Sequence, residues 1–203
     1  MPKKKITSLV WFRNNLRVID NLSLKKSVEN SDKVIGYINI DPNIIKSTSY
    51  GFKKTEKFRI KFLLESISDL KKQLDRINIS LVVKNEDLKS SINSVISKYK
   101  IDNIYIQKEW TRDEILEEEN IPSNVNLIKD FDQFLFSPSD VSGVYENIPR
   151  GFSNFRKKCE KLLSIDDIVP SPKPLSKTNL INEEYSIPSL SELGYEEFEV
   201  HKD

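Results

Sequence analysis

The sequence predicts an α/β fold: a Rossmann-like, doubly wound parallel sheet of five strands in the order 3-2-1-4-5. Three observations lead there. Short β-rich apolar runs alternate with amphipathic helical stretches through about residue 130. The strand runs are apolar on both faces, as parallel strands covered by helices must be. Right-handed crossovers then leave few topologies, and the order 3-2-1-4-5 sets the first and fourth strands side by side.

The elements follow in order. Ile6 to Phe12 is the first strand, and Asp20-Asn21 caps a helix from about Leu22 to Asn30. Val34 to Ile40 is the second strand, stopped by Asp41-Pro42, and a loop runs through Tyr50-Gly51. The strongest helix covers about Lys54 to Arg76, where Ile60, Leu63, Ile67, Leu70 and Leu74 recur at spacings of three and four and Phe58 and Phe62 widen the stripe. Ile79 to Val83 is the third strand. Leu88, Ile92, Val95, Ile96 and Tyr99 mark the next helix. Asn103 to Gln107 is the fourth strand, Thr111 to Glu119 an acidic helix and Val125 to Ile128 the fifth strand.

After residue 130 the alternation stops. The expected division is therefore 1–130 as an α/β ligand-binding domain and 131–203 as an extended connecting segment with one or two short helices. Gly151 to Leu163 reads as one, with Phe152, Phe155, Cys159 and Leu162 on one face, and the exposed apolar side of this helix predicts self-association or partner docking. Val169-Pro170-Ser171-Pro172-Lys173-Pro174 is an extended linker. Ser189 to Leu193, ended by Gly194, is a second short helix candidate.

Composition removes several functions. Charged residues make up 31% of the chain but the net charge is only +1, so bulk charge argues for neither nucleic acid nor membrane binding. A single cysteine, Cys159, excludes an internal disulfide and a cysteine metal cluster, and a cytoplasmic, reducing location is expected. The basic start at Met1 leads into an apolar run too short for a signal peptide or a membrane span. One histidine, His201, makes histidine catalysis and histidine metal sites unexpected, and five glycines supply no phosphate loop.

Candidate site residues sit where strands end in charge. Ligands collect at the carboxyl ends of strands where the order reverses, here beyond the first and fourth. Arg13 and Asn14 end one run, Lys108, Glu109 and Trp110 the other, and Asp41 ends the second strand. Arg13 has two readings: an ion pair closing the strand end, with Asp41 or Glu109, or a ligand contact. Lys108 reads as solvated. Trp110 reads as a packing residue, or as a platform for a flat ring. Glu117-Glu118-Glu119 reads as a solvated helix face.

Several motifs then resemble those of DNA photolyases and cryptochromes. Trp11-Phe12-Arg13-Asn14-Asn15-Leu16-Arg17-Val18-Ile19-Asp20-Asn21 resembles W-F-R-x-D-L-R-x-x-D-N. Asp41-Pro42 matches the D-P after the second strand. Lys54-Thr55, Arg59 and Phe62-Leu63-Leu64-Glu65-Ser66 are similar to K-T-G-x-x-R-x-x-F-L-x-E-S, most like the DASH branch. Phe152-Ser153-Asn154-Phe155-Arg156-Lys157 resembles F-T-x-F-R-K, and Pro188 to Gly194 resembles the P-x-L-x-x-L-G that ends the interdomain segment. Asn15 stands for the family's aspartate, and Glu56 for its usual glycine.

The resemblance implies an N-terminal antenna domain that holds a light-harvesting pigment: methenyltetrahydrofolate, or a flavin or deazaflavin instead. It implies a partner, an FAD-binding helical domain in cis or trans, through which alone DNA is met. It also implies that Glu109 accepts hydrogen bonds from a pterin edge. The sequence stops where that helical domain would begin, so FAD, the lyase chemistry and dimer repair are expected to lie outside it. Catalysis by this chain alone is not expected, since it carries no nucleophile–base pair. The alternative expectation is a pigment-free interaction module or light-signalling subunit that docks on a separate helical partner.

Overall fold

The structure, a computed structural model, describes residues 4–199. His201 and the first three residues lie outside the described residues. Five parallel strands form one sheet in the order β3-β2-β1-β4-β5. They are β1 (Thr7–Trp11), β2 (Lys33–Asn39), β3 (Leu81–Lys84), β4 (Asn103–Gln107) and β5 (Asn126–Asp130). The central pair is in register from Thr7 opposite Lys33 to Trp11 opposite Tyr37. On the other side of β1, Ser8 pairs with Asn103 and Val10 with Tyr105.

Helices α1 (Leu22–Glu29), α2 (Lys57–Arg76), α3 (Leu88–Tyr99) and α4 (Arg112–Glu118) connect the strands. Their starts follow local chemistry. The Asn21 side chain accepts from the Leu24 amide, and that of Asp87 from the Ser90 amide. Lys100, with φ 53°, ends α3 in the left-handed conformation. Strand alternation divides the apolar residues between two layers. Val10, Phe12, Val34 and Ile38 meet α2 on one face, while Leu9, Trp11, Ile35 and Tyr37 meet α3 on the other. At Gly36 the layers come so close that a Cβ would stand 3.1 Å from a Leu81 methyl, 3.2 Å from one of Leu74 and 3.3 Å from the Phe12 ring.

Helix α2 corrects the expected stripe. Its buried residues are Ile60, Leu64, Ile67, Leu70 and Leu74, with Leu64 where Leu63 was expected. Phe58 and Phe62 are exposed rather than part of the stripe. The buried line follows the 3.6-residue period from Ile60, which leaves Phe62 and Leu63 facing the carboxyl edge of the sheet.

After β5 come a short helix the periodicity did not signal, α5 (Pro138–Val144), and then α6 (Phe152–Leu162). Ser137 caps α5 and Pro138 occupies its first turn, a local start signal without an apolar stripe. The two helices pack on each other through the Tyr145 and Phe155 rings, 5.7 Å apart. Cys159 is buried on the inner face of α6, whereas Phe152 and Leu162 are exposed. The chain then returns to the α/β body. Asp20, at φ 55°, donates its amide to the Val169 carbonyl at 2.7 Å and accepts the Val169 amide on Oδ1.

From Leu175 onward the tail lies along the domain as a strap. Leu190, Leu193 and Tyr195 are buried in the α2-side core, and Ile181 and Tyr185 pack on the α3 side. Residues 189–193 do not form the expected helix. They make a hydrogen-bonded turn in which the Leu193 amide reaches the Ser189 and Leu190 carbonyls, and Gly194 leaves it at φ 76°. Burial of Leu190 and Leu193 in the core governs this stretch, and five residues are too few to sustain a helix without it. Among the described residues no helix is long and apolar enough to cross a membrane.

Candidate functional site

Beyond the carboxyl ends of β1 and β2 the fold leaves a cavity of about 440 Å³, within the range of small-molecule sites. Trp11, Phe12, Arg13 and Asn14 enter from the end of β1, and Ile38, Asn39 and Asp41 from the end of β2. Helix α2 contributes Arg59, Phe62, Leu63 and Ser66, and α4 contributes Asp113, Glu114 and Glu117. The position follows from topology. The two strands end side by side, and residues of α2 and α4 wall the space above their ends.

The polar wall is built on Arg13, whose side chain is only 6% exposed. Its Nη1 donates to the Glu114 carbonyl at 3.0 Å, and its Nη2 to the Gln107 carbonyl at 2.8 Å and Glu118 Oε1 at 3.2 Å. Glu117 Oε2 lies 3.8 Å from Nη1. Arg13 thus pairs with α4, not with Asp41 or Glu109 as its structural reading proposed. Its planar fork holds the first turns of α4 against the end of β4. Among the described residues its Nε has no hydrogen-bond partner, nor has the buried Glu114 Oε2.

The acidic run is not a solvated face. Glu118 is buried and pairs with both Arg13 and Lys129. Glu117 is half-buried, and burial pushes its carboxyl up to about 7. Arg13 and Lys54 oppose that rise, while Glu114 and Asp41 add to it.

The six candidate residues fall into two groups. Arg13, Asn14 and Asp41 line the cavity. Lys108, Glu109 and Trp110 lie outside it, toward β5. Glu109 is 4% exposed. Its Oε1 accepts from Asn14 Nδ2 at 3.2 Å and Gln107 Nε2 at 3.1 Å, and its Oε2 from Gln133 Nε2 at 3.2 Å. Asn14 is the link between the groups. Trp110 is 42% exposed and stands 5.6 Å from both Phe131 and Phe134. Lys108 Nζ lies over the Trp110 and Phe131 rings at 4.8 and 4.7 Å, so it caps an aromatic ledge rather than standing free in solvent.

Sequence reasoning missed Glu114 and Glu117, because a run of glutamates on a short helix carries no sign of what faces it. Arg59 was visible as a motif letter only, and Leu63 as a motif letter and a member of the expected stripe. Asn15, where the family aspartate stands, is buried; its Oδ1 accepts the Arg13 amide and its Nδ2 has no partner among the described residues.

A doubly wound α/β domain with a small-molecule cavity at its carboxyl edge is thus defined. Its sequence matches the DNA photolyase family over residues 8–175, and the chain belongs to that family. Cryptochrome DASH of Gloeobacter violaceus is 31% identical over 195 residues, covering 94% of this chain and 39% of the relative. Cryptochrome DASH of Arabidopsis thaliana, chloroplastic/mitochondrial, is 26% identical over 98% of this chain and 36% of its own length. The crystal structure of the Synechocystis sp. PCC6803 cryptochrome superimposes with a TM-score of 0.82 at 25% identity, over 99% of this chain and 42% of that one. An archaeal photolyase from Sulfolobus tokodaii, solved with two FAD molecules and interpreted as implying a novel light-harvesting cofactor, has a TM-score of 0.67 at 21% identity, over 83% of this chain and 37% of that one. The chain corresponds to the N-terminal α/β domain of the DASH cryptochromes, and spans about two fifths of the length of these relatives.

Proposed function

We propose that this chain is a light-harvesting domain, and that its antenna pigment is a flavin-type ring held in the carboxyl-edge cavity. The observation that carries this reading is the cavity itself. It has apolar walls from Leu16, Ile38, Ile44, Phe62 and Leu63, and a few convergent polar groups. Such a lining suits a flat ring with a polar edge. The Sulfolobus tokodaii photolyase with its two FAD molecules supports it by analogy.

The fit for methenyltetrahydrofolate at Glu109 is poorer. That carboxylate already takes three side-chain donors, and a pterin would have to displace Gln133 to reach it. When bound, an antenna ring supplies absorption in the visible or near-ultraviolet and passes the excitation on. The chain's residues bind and orient it and exclude water. The acceptor is the FAD of a helical domain. The exposed apolar side of α6, Phe152 and Leu162, with Ile165 and Ile168 beyond it, supports docking of that domain. Repair of pyrimidine dimers would then proceed on the helical partner, with DNA met there.

The test is titration of the purified chain with riboflavin, FMN and methenyltetrahydrofolate, followed by absorption and fluorescence. Saturable flavin binding that is weakened in Leu63→Trp, which fills the cavity, is expected. Absence of flavin binding, or binding indifferent to that substitution, overturns the assignment. Tight folate binding abolished by Glu109→Ala would move the antenna to the β4 side.

A further inference from the structure

One wall of the cavity is held from behind by the far end of the chain. Residues 46–55 lie between β2 and α2, and Lys54 and Thr55 line the cavity. The stretch begins as a small hairpin bridged at Ser47 and Lys53. In it the Thr48 amide donates to the Phe52 carbonyl at 2.7 Å and the Lys54 amide to the Lys46 carbonyl at 3.1 Å. These bonds close the hairpin on itself and do not fix where it stands. Among the described residues, three hydrogen bonds tie it to distant parts of the chain. Lys53 Nζ donates to the Gly194 carbonyl at 3.0 Å, the Tyr195 hydroxyl donates to the Thr55 carbonyl at 2.5 Å, and Lys54 Nζ donates to Asp113 Oδ2 at 3.2 Å.

The three are not equal. Lys54 and Asp113 each keep more than half of the side chain in solvent, where an ion pair between flexible groups contributes little. Tyr195 is buried, its ring set in the α2-side core beside Leu190 and Leu193, and Lys53 Nζ stands 3.7 Å over that ring. A buried hydroxyl on a fixed ring loses little freedom in reaching a carbonyl, so the strap, not α4, determines where the wall stands. None of residues 189–195 lines the cavity itself.

We propose that Tyr195 is a positioning residue of the carboxyl-edge cavity: its hydroxyl fixes the Thr55 carbonyl and so sets the rim, Lys53 to Thr55, against which a bound ring is held. This deepens the light-harvesting assignment and rests on it. Ring binding and attachment of the strap are then coupled, and the coupling is reciprocal. A rim closed on a ring holds the strap down, and a strap that lets go opens the rim. A purely structural Tyr195 would behave otherwise. Its hydroxyl would change the fraction of folded chains and not the affinity of those that are folded, and the loss of one hydrogen bond leaves most chains folded.

The experiment uses Tyr195→Phe, which keeps the ring in the core and removes only the hydroxyl. Riboflavin affinity is read by fluorescence quenching, and amide hydrogen exchange is followed with and without riboflavin. We expect Tyr195→Phe to bind riboflavin at least about threefold more weakly, in line with one lost hydrogen bond. Without ligand it should exchange faster in residues 46–56 than the parent chain does. Asn179→Ala is the control, since Asn179 is buried in the same strap but bonds Val34 at the amino-terminal edge of β2, away from the cavity. It should leave riboflavin affinity within about twofold. The parent chain needs no variant for the reciprocal test: saturating riboflavin should slow exchange in residues 189–195 by about threefold or more. Unchanged affinity in Tyr195→Phe, equal weakening in both variants, or exchange in 189–195 indifferent to riboflavin overturns the positioning role and leaves the cavity as a flavin site. Absence of riboflavin binding overturns the pigment assignment instead; exchange in residues 46–56 of the unliganded chains then decides the role of Tyr195, and no difference there overturns it.

Discussion

The side chain of Asn179 hydrogen-bonds both backbone groups of Val34, a residue 145 positions earlier. Oδ1 accepts the Val34 amide at 2.8 Å and Nδ2 donates to its carbonyl at 2.9 Å, with a further bond to the Asn78 carbonyl at 2.7 Å. One buried amide thus completes the amino-terminal edge of β2 as a neighbouring strand would. Asn179→Ala leaves three buried backbone groups unpaired. It should lower stability by about 2–4 kcal/mol, which urea unfolding followed by circular dichroism will measure.

Arg13 predicts a different loss. Arg13→Met keeps the apolar stem but leaves Glu118 buried with Lys129 as its sole ion-pair contact among the described residues. Breaking a buried pair on one side costs about 3 kcal/mol. The first sign should be selective loss of amide protection in α4 on hydrogen exchange, ahead of the sheet.

Glu117 gives stability a pH slope with a definite sign. Its carboxyl sits at about 7 in the folded chain against an ordinary 4.5, so the folded state holds the proton more tightly than the unfolded one. This contribution is complete below the ordinary value and fades as pH rises through about 7. With the group partly in solvent, the loss should be about 1 kcal/mol. Melting temperature measured between pH 5 and 8 should fall with rising pH, and Glu117→Gln should flatten that component.

Arg59 is exposed at the cavity and makes no ion pair among the described residues, whereas Lys54 pairs with Asp113 at 3.2 Å. A phosphate at the cavity mouth would meet Arg59 first. FMN should therefore bind about fivefold more tightly than riboflavin at low salt, and Arg59→Ala should remove that advantage, as should high ionic strength. Calorimetric titration of both flavins against the two proteins will decide it.

Gly36 stands where β2, α2 and β3 converge. Gly36→Ala places a methyl group within 3.3 Å of Leu74, Leu81 and Phe12, an overpacking that should cost about 1–3 kcal/mol. Chemical denaturation should show a lower midpoint with an unchanged slope.

Strand order was legible in the sequence because it follows from alternation and handedness, which apolar runs such as Leu9-Val10-Trp11 display directly. The cavity's location was half legible. Arg13, Asn14 and Asp41 were visible as charge and polarity ending apolar runs, and all three line it. Glu109 matched the family pattern, but which neighbours occupy its oxygens depends on Gln133, in a loop whose path no local spacing fixes. Glu114 and Glu117 were hidden for a related reason. Their environment is set by Arg13, about a hundred residues away, and not by the period of their own helix. The tail was the least legible part, since Asn179 and Leu190 are buried, and Tyr185 partly buried, by contacts that span the chain and that no periodic pattern marks.

The Val34–Asn179 pairing also sets a clock on synthesis. A ribosome adding roughly 5–20 residues per second needs on the order of ten seconds to travel from one partner to the other. Once β3 has been made, the nascent sheet has the strands on either side of β2 yet keeps an open polar notch beside Val34 until residue 179 arrives. Chaperones that shield such half-built edges would be needed most in that window, and least once residue 179 has emerged.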